Sequence, residues 1–591
     1  MIKPSCESLR NVGREKMLLM LACSFLDIKD IKLDGKDVKW NVGKRIEPYG
    51  SPLTVTLDEG VPKGKTITIA VKLSTTDKCT ALQWMAPAQT SNKKHPYVFS
   101  QCQAIHARSV FPCQDTPDVK STFSFKLRSS LPVVASGLPT GAHDYHSGKD
   151  GKSGTLLYTF DQKVPIPSYL FAVASGDLAA ASVGPRSSVW TGPEELLDCQ
   201  RELQGEIEPF MDAVHSVVKL PYQWTQYNCL ILPPSFPYGG MENPVWTYAT
   251  PSIISGDKQN IDVIAHELSH SWSGNLVSAG SWEHFWLNEG WTTYLERRIQ
   301  GYVHGEEHRH FSSIIGWKAL EESIALFGED HEFTRLVVDL KGKDPDDAFS
   351  SIPYEKGFMA LYGFELLLGK DKWDTFIPHY FSTFAFKSLD SYEFKTCLLD
   401  FFANDAEAKN KLDNFDWDKL FYAPGFPDKP KFDDTLAKRC YDLASNWESH
   451  VTGKDTSFKP SPEDVSSFSA NQSVVFLERC HSFAESFSPA DVHLLGSTYG
   501  YLSTHNIEVV SRFLTIGLRA KAQDTYEPAA ELLGRIGRMK FVRPLFRLLE
   551  KVDRELAVKT FEKNKDFYHP ICRYGFRSIP VLRYETLLTA F

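Results

Sequence analysis

The sequence of 591 residues contains no Cys-x-x-Cys pair, no block of basic residues, no apolar run long enough to span a bilayer and no clear repeat of fixed period. Each absence excludes something. Eleven scattered cysteines, an odd number, fit a reducing compartment better than a disulfide framework, so the expected location is the cytoplasm, with the nucleus as a second one. A formal net charge of -9 with no basic tract leaves nothing to neutralise a phosphate backbone, and nucleic acid is not an expected partner. The run Met17–Leu26, behind Arg14 and Lys16, has the length of a signal-peptide core but is too short to cross a membrane. Asp27, Lys29 and Asp30 follow at once and no small-residue cleavage site is visible. A buried strand or helix is therefore expected there, and no membrane partner. A lone glycosylation sequon, Asn471-Gln472-Ser473, carries little weight in a chain of this length.

What is present is ordinary for a folded protein: 42% hydrophobic and 24% charged residues, over a length that exceeds one hydrophobic core and predicts several domains. From about Cys23 to Ala180, short alternating runs such as Thr54-Val55-Thr56-Leu57 and Ile67-Thr68-Ile69-Ala70-Val71 predict an N-terminal β domain over residues 1–180. After Gly184-Pro185 the periodicity lengthens, and helices are expected at 258–273 and 287–303 within a second domain over 181–421. Three prolines and a glycine within Tyr422–Lys431 read as an extended linker over 422–436. Beyond it, 3.6-residue periodicity in Val474–Ser482, Val509–Leu518 and Ala529–Arg538 predicts paired helices over 437–591. The expected fold class is multi-domain α+β.

The chemistry concentrates in the second domain. Val263-Ile-Ala-His-Glu-Leu-Ser-His-Ser-Trp272 places His266 and His270 four residues apart on a helix, so both imidazoles leave one face and can reach one ion. Catalytic zinc takes three protein ligands and leaves a fourth position open. Glu289 is the best third candidate: it lies nineteen positions after His270 at the start of a second helical pattern, and Gly274 and Gly280 let the chain turn back between them. Glu267 is a poor extra ligand from its direction and suits the role of general base toward the attacking water. The competing reading is a pair of core or surface histidines in accidental register, but a partly buried histidine face without a metal leaves unpaired polar groups that cost a few kcal/mol each.

Together with Phe99-Ser-Gln-Cys-Gln-Ala-Ile-His106, Tyr238-Gly-Gly-Met-Glu-Asn243, Pro353-Tyr-Glu-Lys-Gly357 and Gly537-Arg-Met-Lys540, these residues resemble the M1 family of zinc aminopeptidases, in the branch of leukotriene A(4) hydrolase and the fungal leucine aminopeptidases. The resemblance runs from about Leu21 to the C-terminus. It implies a β-rich N-terminal saddle, a thermolysin-like mixed α/β catalytic domain and an α-helical C-terminal domain around a narrow cleft, with one zinc ion per chain. In that family the glutamate of Gly-x-Met-Glu-Asn binds the substrate's free α-amino group. That role falls on Glu242, among Tyr238, Gly239, Gly240, Met241 and Asn243. Gln103 with Ala104, and beside them Cys102, would line the cleft. Arg538 with Lys540, flanking Met539, would meet the peptide's C-terminal carboxylate, and Tyr354 would donate to the tetrahedral oxyanion. On the residues alone, Gly239-Gly240 is a loop, Arg538 and Lys540 a solvated face, and Tyr354 one packing tyrosine among 23.

The implied activity is removal of N-terminal residues from short peptides, above all di- and tripeptides, because charge grips both substrate ends. Glu267 would take the proton of the attacking water and pass it to the leaving amine. Glu296, seven positions after Glu289, is either a partner of a ligand histidine or a solvated glutamate. The resemblance also implies a weak hydrolysis of fatty-acid epoxides such as leukotriene A(4), with Asp346 positioning the water. One departure bears on it. Where the animal epoxide hydrolases carry a second tyrosine five residues before the catalytic one, this sequence has Phe349. The alternatives are a chain that is primarily a lipid epoxide hydrolase, and a non-catalytic scaffold. The scaffold has no physical need for a general base beside an open metal position.

Overall fold

The computed structural model describes residues 9–11, 17–57, 61, 62, 64–140, 154–455, 457–569 and 572; Arg14, Lys16 and residues 573–591 lie outside them. Met17–Cys23 is a strand, antiparallel to Ser51–Leu57 with Leu19 opposite Val55 and Leu21 opposite Leu53. Its alternation turns Leu19, Leu21 and Cys23 toward Leu53, Val55 and Ile31, which close a small apolar core. Further antiparallel ladders follow, the longest between Lys120–Ser129 and Leu156–Pro167. A four-stranded sheet runs in the order Val133–Ala135, Val173–Ser175, Tyr97–Ser100, Leu82–Met85.

The second region opens with Ala179–Gly184, a strand that straddles the expected boundary at 180. It heads a five-stranded sheet continuing through Ser187–Thr191, Tyr227–Ile231, Trp246–Ala249 and Gly240–Met241. The inner pairs are parallel and the two outer pairs antiparallel. Tyr227–Ile231 is buried at every position, as a central strand covered on both faces must be. Phe99, Val134, Ile166 and Leu170 from the N-terminal sheets share one core with Trp190, Leu230, Trp246 and Tyr248 of this sheet. The two regions are therefore bonded by a common apolar layer, each buried side chain contributing about 1.5–3 kcal/mol.

The expected helices appear as Asp262–Ser269 and Trp286–His304. The first is shorter than 258–273 because Lys258 has a φ of 59° and His270 is already the C-cap, after which Gly274, at φ 105°, reverses the chain. A third helix, Ile352–Leu368, crosses Trp286–His304 where Gly290 meets Gly357. A Cβ on Gly357 would lie 2.8 Å from the Gly290 Cα, so this approach is open only to glycine.

The Pro-rich segment after helix Trp417–Tyr422 is not helical, and it is clamped rather than loose. Lys356, 5% exposed, donates its three protons to Thr334 O at 2.8 Å, Ala423 O at 2.8 Å and Gly425 O at 2.9 Å. Beyond it, helices including Thr435–Val451, Ala470–His481 and Ile507–Arg519 pack round a separate core. The expected helix Ala529–Arg538 stops early: Tyr526–Leu533 ends before Gly534, and Arg538 caps the next helix, Met539–Val552. The cause is tertiary. Gly537 N donates to Pro234 O at 2.8 Å and Met539 N to Pro237 O at 3.0 Å, so the backbone leaves the helix to dock on the Pro233–Tyr238 segment. A Cβ on Gly537 would come within 2.6 Å of the Ser235 backbone. The result is a three-part molecule: N-terminal β region, mixed α/β centre, helical C-terminal part.

Candidate active site

His266 projects from the last turn of Asp262–Ser269 and His270 from its C-cap, and Glu289 sits in the first turn of Trp286–His304, where the helix dipole favours a carboxylate. Their ligand atoms lie within 4.8 Å of one another. Glu289 Oε2 is 3.4 Å from His266 Nε2 and 3.3 Å from His270 Nε2. That oxygen is buried and makes no hydrogen bond among the described residues. Each histidine spends its other nitrogen elsewhere: His266 Nδ1 meets Glu296 Oε2 at 2.9 Å, and His270 Nδ1 meets Ser273 O at 2.8 Å, with Thr292 Oγ1 at 3.0 Å. With Nδ1–H donated outward, the Nε2 lone pairs face inward. Two imidazoles whose Nε2 atoms converge on a carboxylate oxygen without a hydrogen-bond partner among the described residues fit a zinc ion, which takes them neutral and leaves one position open.

Charge in the metal-free cluster follows from its burial. Burial opposes ionisation of Glu289, yet His270 and His266 outweigh it and hold the carboxyl down at about 2. Glu267 shows the opposite balance, pushed up to about 8 by burial against the pull of His266 and His270. Its Oε2 is buried without a partner among the described residues, and Gly240 leaves room for the other oxygen, since a Cβ there would stand 2.1 Å from Oε1. Glu242, Glu267 and His270 form a second close group. Burial raises Glu242 as well. Its side chain accepts from Gln103 Nε2 at 3.4 Å, and its backbone carbonyl from Asn275 Nδ2 at 2.8 Å. Lys120, on the long N-terminal ladder, locks that loop by donating to Asn275 O at 3.1 Å and Leu276 O at 2.9 Å.

Tyr354 stacks on the His266 ring with centroids 5.7 Å apart. Burial, reinforced by Glu289, Glu242 and Glu267, keeps its phenol well above the usual range, so it remains an O–H donor. A cleft of about 750 Å³ joins these groups to Gln103, Ala104, Tyr238, Gly239, Gly240, Asp346, Arg538 and Met539. Four residues expected there do not line it. Cys102 is buried against Ala81, Ala107 and Cys113, and Met241 is buried, with Gln101 Nε2 3.1 Å from its sulfur. Asn243 is buried, its carbonyl accepting from Trp246 N at 3.0 Å. Lys540 points to Glu508, with Nζ 2.8 and 2.9 Å from the two carboxylate oxygens.

The cleft also has walls the sequence did not announce: Trp282 and Phe285, Phe333 of the short 3-10 turn Glu332–Thr334, the following Arg335, Leu336 and Val338, and Arg543. None belongs to a spaced pattern. Asp346 was expected, but not its partner: His106 bridges Thr80 Oγ1 and Asp346 Oδ2, each at 2.9 Å. Phe349, 55% exposed, packs near Tyr354 with centroids 6.2 Å apart and offers no hydroxyl.

A helix-borne histidine pair, a carboxylate from a second helix, and a buried unpaired glutamate define a metallopeptidase of mixed α/β core. Comparison with known proteins gives the family. The Peptidase family M1 domain matches residues 204–419, the Peptidase M1 N-terminal domain 5–170, and the leukotriene A(4) hydrolase C-terminal domain 468–578. The chain is 74% identical over 557 residues to leucine aminopeptidase 2 of Phaeosphaeria nodorum, covering 94% of this chain and 89% of the relative. It is 62% identical to the leukotriene A-4 hydrolase homolog of Botryotinia fuckeliana, over 95% of this chain and 86% of that one. Yeast LTA4 hydrolase in complex with bestatin superposes with a TM-score of 0.87 at 43% identity, covering 94% of this chain and 91% of the other. The chain belongs to peptidase family M1 and is a zinc aminopeptidase.

Proposed function

We propose that this aminopeptidase removes the first residue from short peptides, di- and tripeptides above all, with one zinc ion held by His266, His270 and Glu289. The observation that carries the reading is that one cleft is lined by both kinds of charge a free peptide needs: Glu242, grouped with Glu267 and His270 beside the metal triad, and Arg538. Zinc, when bound, supplies a Lewis acid that polarises the scissile carbonyl and acidifies water. Glu242 pairs with the substrate ammonium and fixes where the chain begins. Glu267 takes a proton from the attacking water and returns it to the departing amine. Tyr354 donates its O–H to the oxyanion of the tetrahedral intermediate, a contribution of about 3 kcal/mol for a preorganised donor. Arg538 meets the C-terminal carboxylate. The domain limits that go with this reading are 1–180, 181–421, 422–436 and 437–591. The described cysteines form no disulfide with one another, which suits the cytoplasm, with the nucleus as a second location.

A second, weak activity on fatty-acid epoxides is favoured by the cleft's apolar wall and by Asp346 facing it. Phe349 stands where a hydroxyl would be needed to steer such an opening, so peptides are the main substrates. The test uses aminoacyl-arylamides, free dipeptides and tripeptides, and N-acetylated peptides, with and without a zinc chelator. Free N-termini should be required, the chelator should stop turnover, and Glu242→Ala should remove peptide cleavage. Efficient cleavage of N-acetylated peptides would sink the amine-reading role of Glu242.

A further inference from the structure

Glu508 lies in the first turn of Ile507–Arg519 with its side chain only 16% exposed, and it gathers an unusual number of cations. Lys540 Nζ bonds both its oxygens, at 2.8 and 2.9 Å. Arg512 Nη1 reaches Oε2 at 2.7 Å, and Arg538 Nη1 reaches Oε1 at 3.5 Å. Arg512 is shared with Glu478, whose Oε1 accepts from its Nε at 2.7 Å. Two carboxylates therefore face three cations. Glu508 is also fixed relative to the metal helix. The preceding Asn506 exchanges side-chain amide bonds with Asn260, at 3.0 and 3.2 Å, two residues before Asp262–Ser269 begins.

Arg538 does not depend on Glu508 for its place. Its Nη1 donates to Ser252 Oγ at 3.1 Å, its neighbours dock through Gly537 N and Met539 N, and Gly239 leaves the space its guanidinium fills. Glu508 thus acts on charge rather than on the position of Arg538, while it determines where Lys540 goes. We propose that Glu508 is a specificity-setting residue: it holds Lys540 out of the cleft and offsets Arg538, so that the far end shows a peptide carboxylate one attenuated guanidinium instead of two free cations. The inference rests on Arg538 reading that carboxylate.

Removing the negative charge should tighten carboxylate binding without touching the chemistry. Glu508→Gln should lower KM for free tripeptides about threefold to tenfold, the scale of one partly screened charge at this range. kcat, and KM for C-amidated tripeptides and aminoacyl-arylamides, should stay put. Added salt should erase the gain. Lys540→Met in the unaltered chain should raise KM for free tripeptides, because Glu508 then acts on Arg538 undivided. The double variant Glu508→Gln/Lys540→Met should lose most of the gain, and Lys540→Met stands as a test on its own should Glu508→Gln fold poorly. An equal shift on free and amidated peptides, or a higher KM for free tripeptides in Glu508→Gln, overturns the inference. Arg538→Ala separates it from the reading beneath: if that variant treats free and amidated tripeptides as the parent does, Arg538 is not the carboxylate reader; if it discriminates less while Glu508→Gln changes nothing, only the role of Glu508 fails.

Discussion

Glu267 and Glu289 are carboxylates in the same small volume, yet in the metal-free cluster burial pushes the first up to about 8 while flanking imidazoles hold the second down at about 2. The difference is one of distance: Glu289 Oε2 lies 3.4 and 3.3 Å from two imidazole nitrogens, while Glu267 forms no ion pair that close among the described residues. Two carboxylates a few ångströms apart are thereby given different charge preferences without any change of residue type. Replacing Glu267 by Gln should cut kcat by about two to four orders of magnitude, the usual worth of a positioned base, while zinc content measured by elemental analysis stays at the parent level. Loss of metal in that variant would make Glu267 a ligand. Glu296→Ala should instead weaken zinc about 10–100-fold in chelator competition, because His266 loses the acceptor that orients its ring. The helical spacing made His266, His270 and Glu267 legible in the sequence. Lys540 was misleading for the same reason that it was noticeable: two cations near a family motif say nothing of a glutamate 32 positions away.

Between elements, the glycine contact of Trp286–His304 with Ile352–Leu368 sets how near Tyr354 comes to the metal ligands. Gly357→Ala would place a methyl 2.8 Å from the Gly290 backbone, forcing the helices apart and carrying Tyr354 away from Glu289. A fall in kcat of about a hundredfold is expected, the cost of roughly 1 Å of misplacement, together with a lower melting temperature; an unchanged pair of values would show that the helices tolerate the gap. One residue earlier, Lys356 ties the same helix to the Pro-rich segment. Burial draws its ammonium down to about 8, whereas the unfolded chain holds that proton up to the ordinary value of 10.5. The folded state therefore binds fewer protons between those values, and its stability gains as pH rises through that window. Lys356→Met should lack this gain and should be less stable by a few kcal/mol at neutral pH, since buried carbonyls lose their donor. Denaturant unfolding at pH 7.5 and 9.5 checks both signs. Period-2 and 3.6-residue patterns revealed these strands and helices, because local burial writes them. The early stop at Leu533 could not be read, because the docking of Gly537 on Ser235 decides it, and the two are far apart in the chain.

At the level of the whole molecule, zinc should be a structural asset as well as a catalyst, because it binds only the assembled ligand set. Chelation should lower the melting temperature of the parent, and zinc should restore it, while Glu289→Ala should show little response to either; equal responses in the two proteins would place the ion elsewhere. The three-part plan was readable from changes in periodicity, but not the common core of Phe99, Trp190 and Trp246, since apolar residues do not name their partners. The docking of Gly537–Met539 on Pro233–Tyr238 has a temporal meaning. During synthesis Glu242, His266, His270 and Glu289 emerge well before Arg538. One wall of the cleft is therefore the last to be made, and it is finished only when the C-terminal helices bring Arg538 and Met539 against that segment.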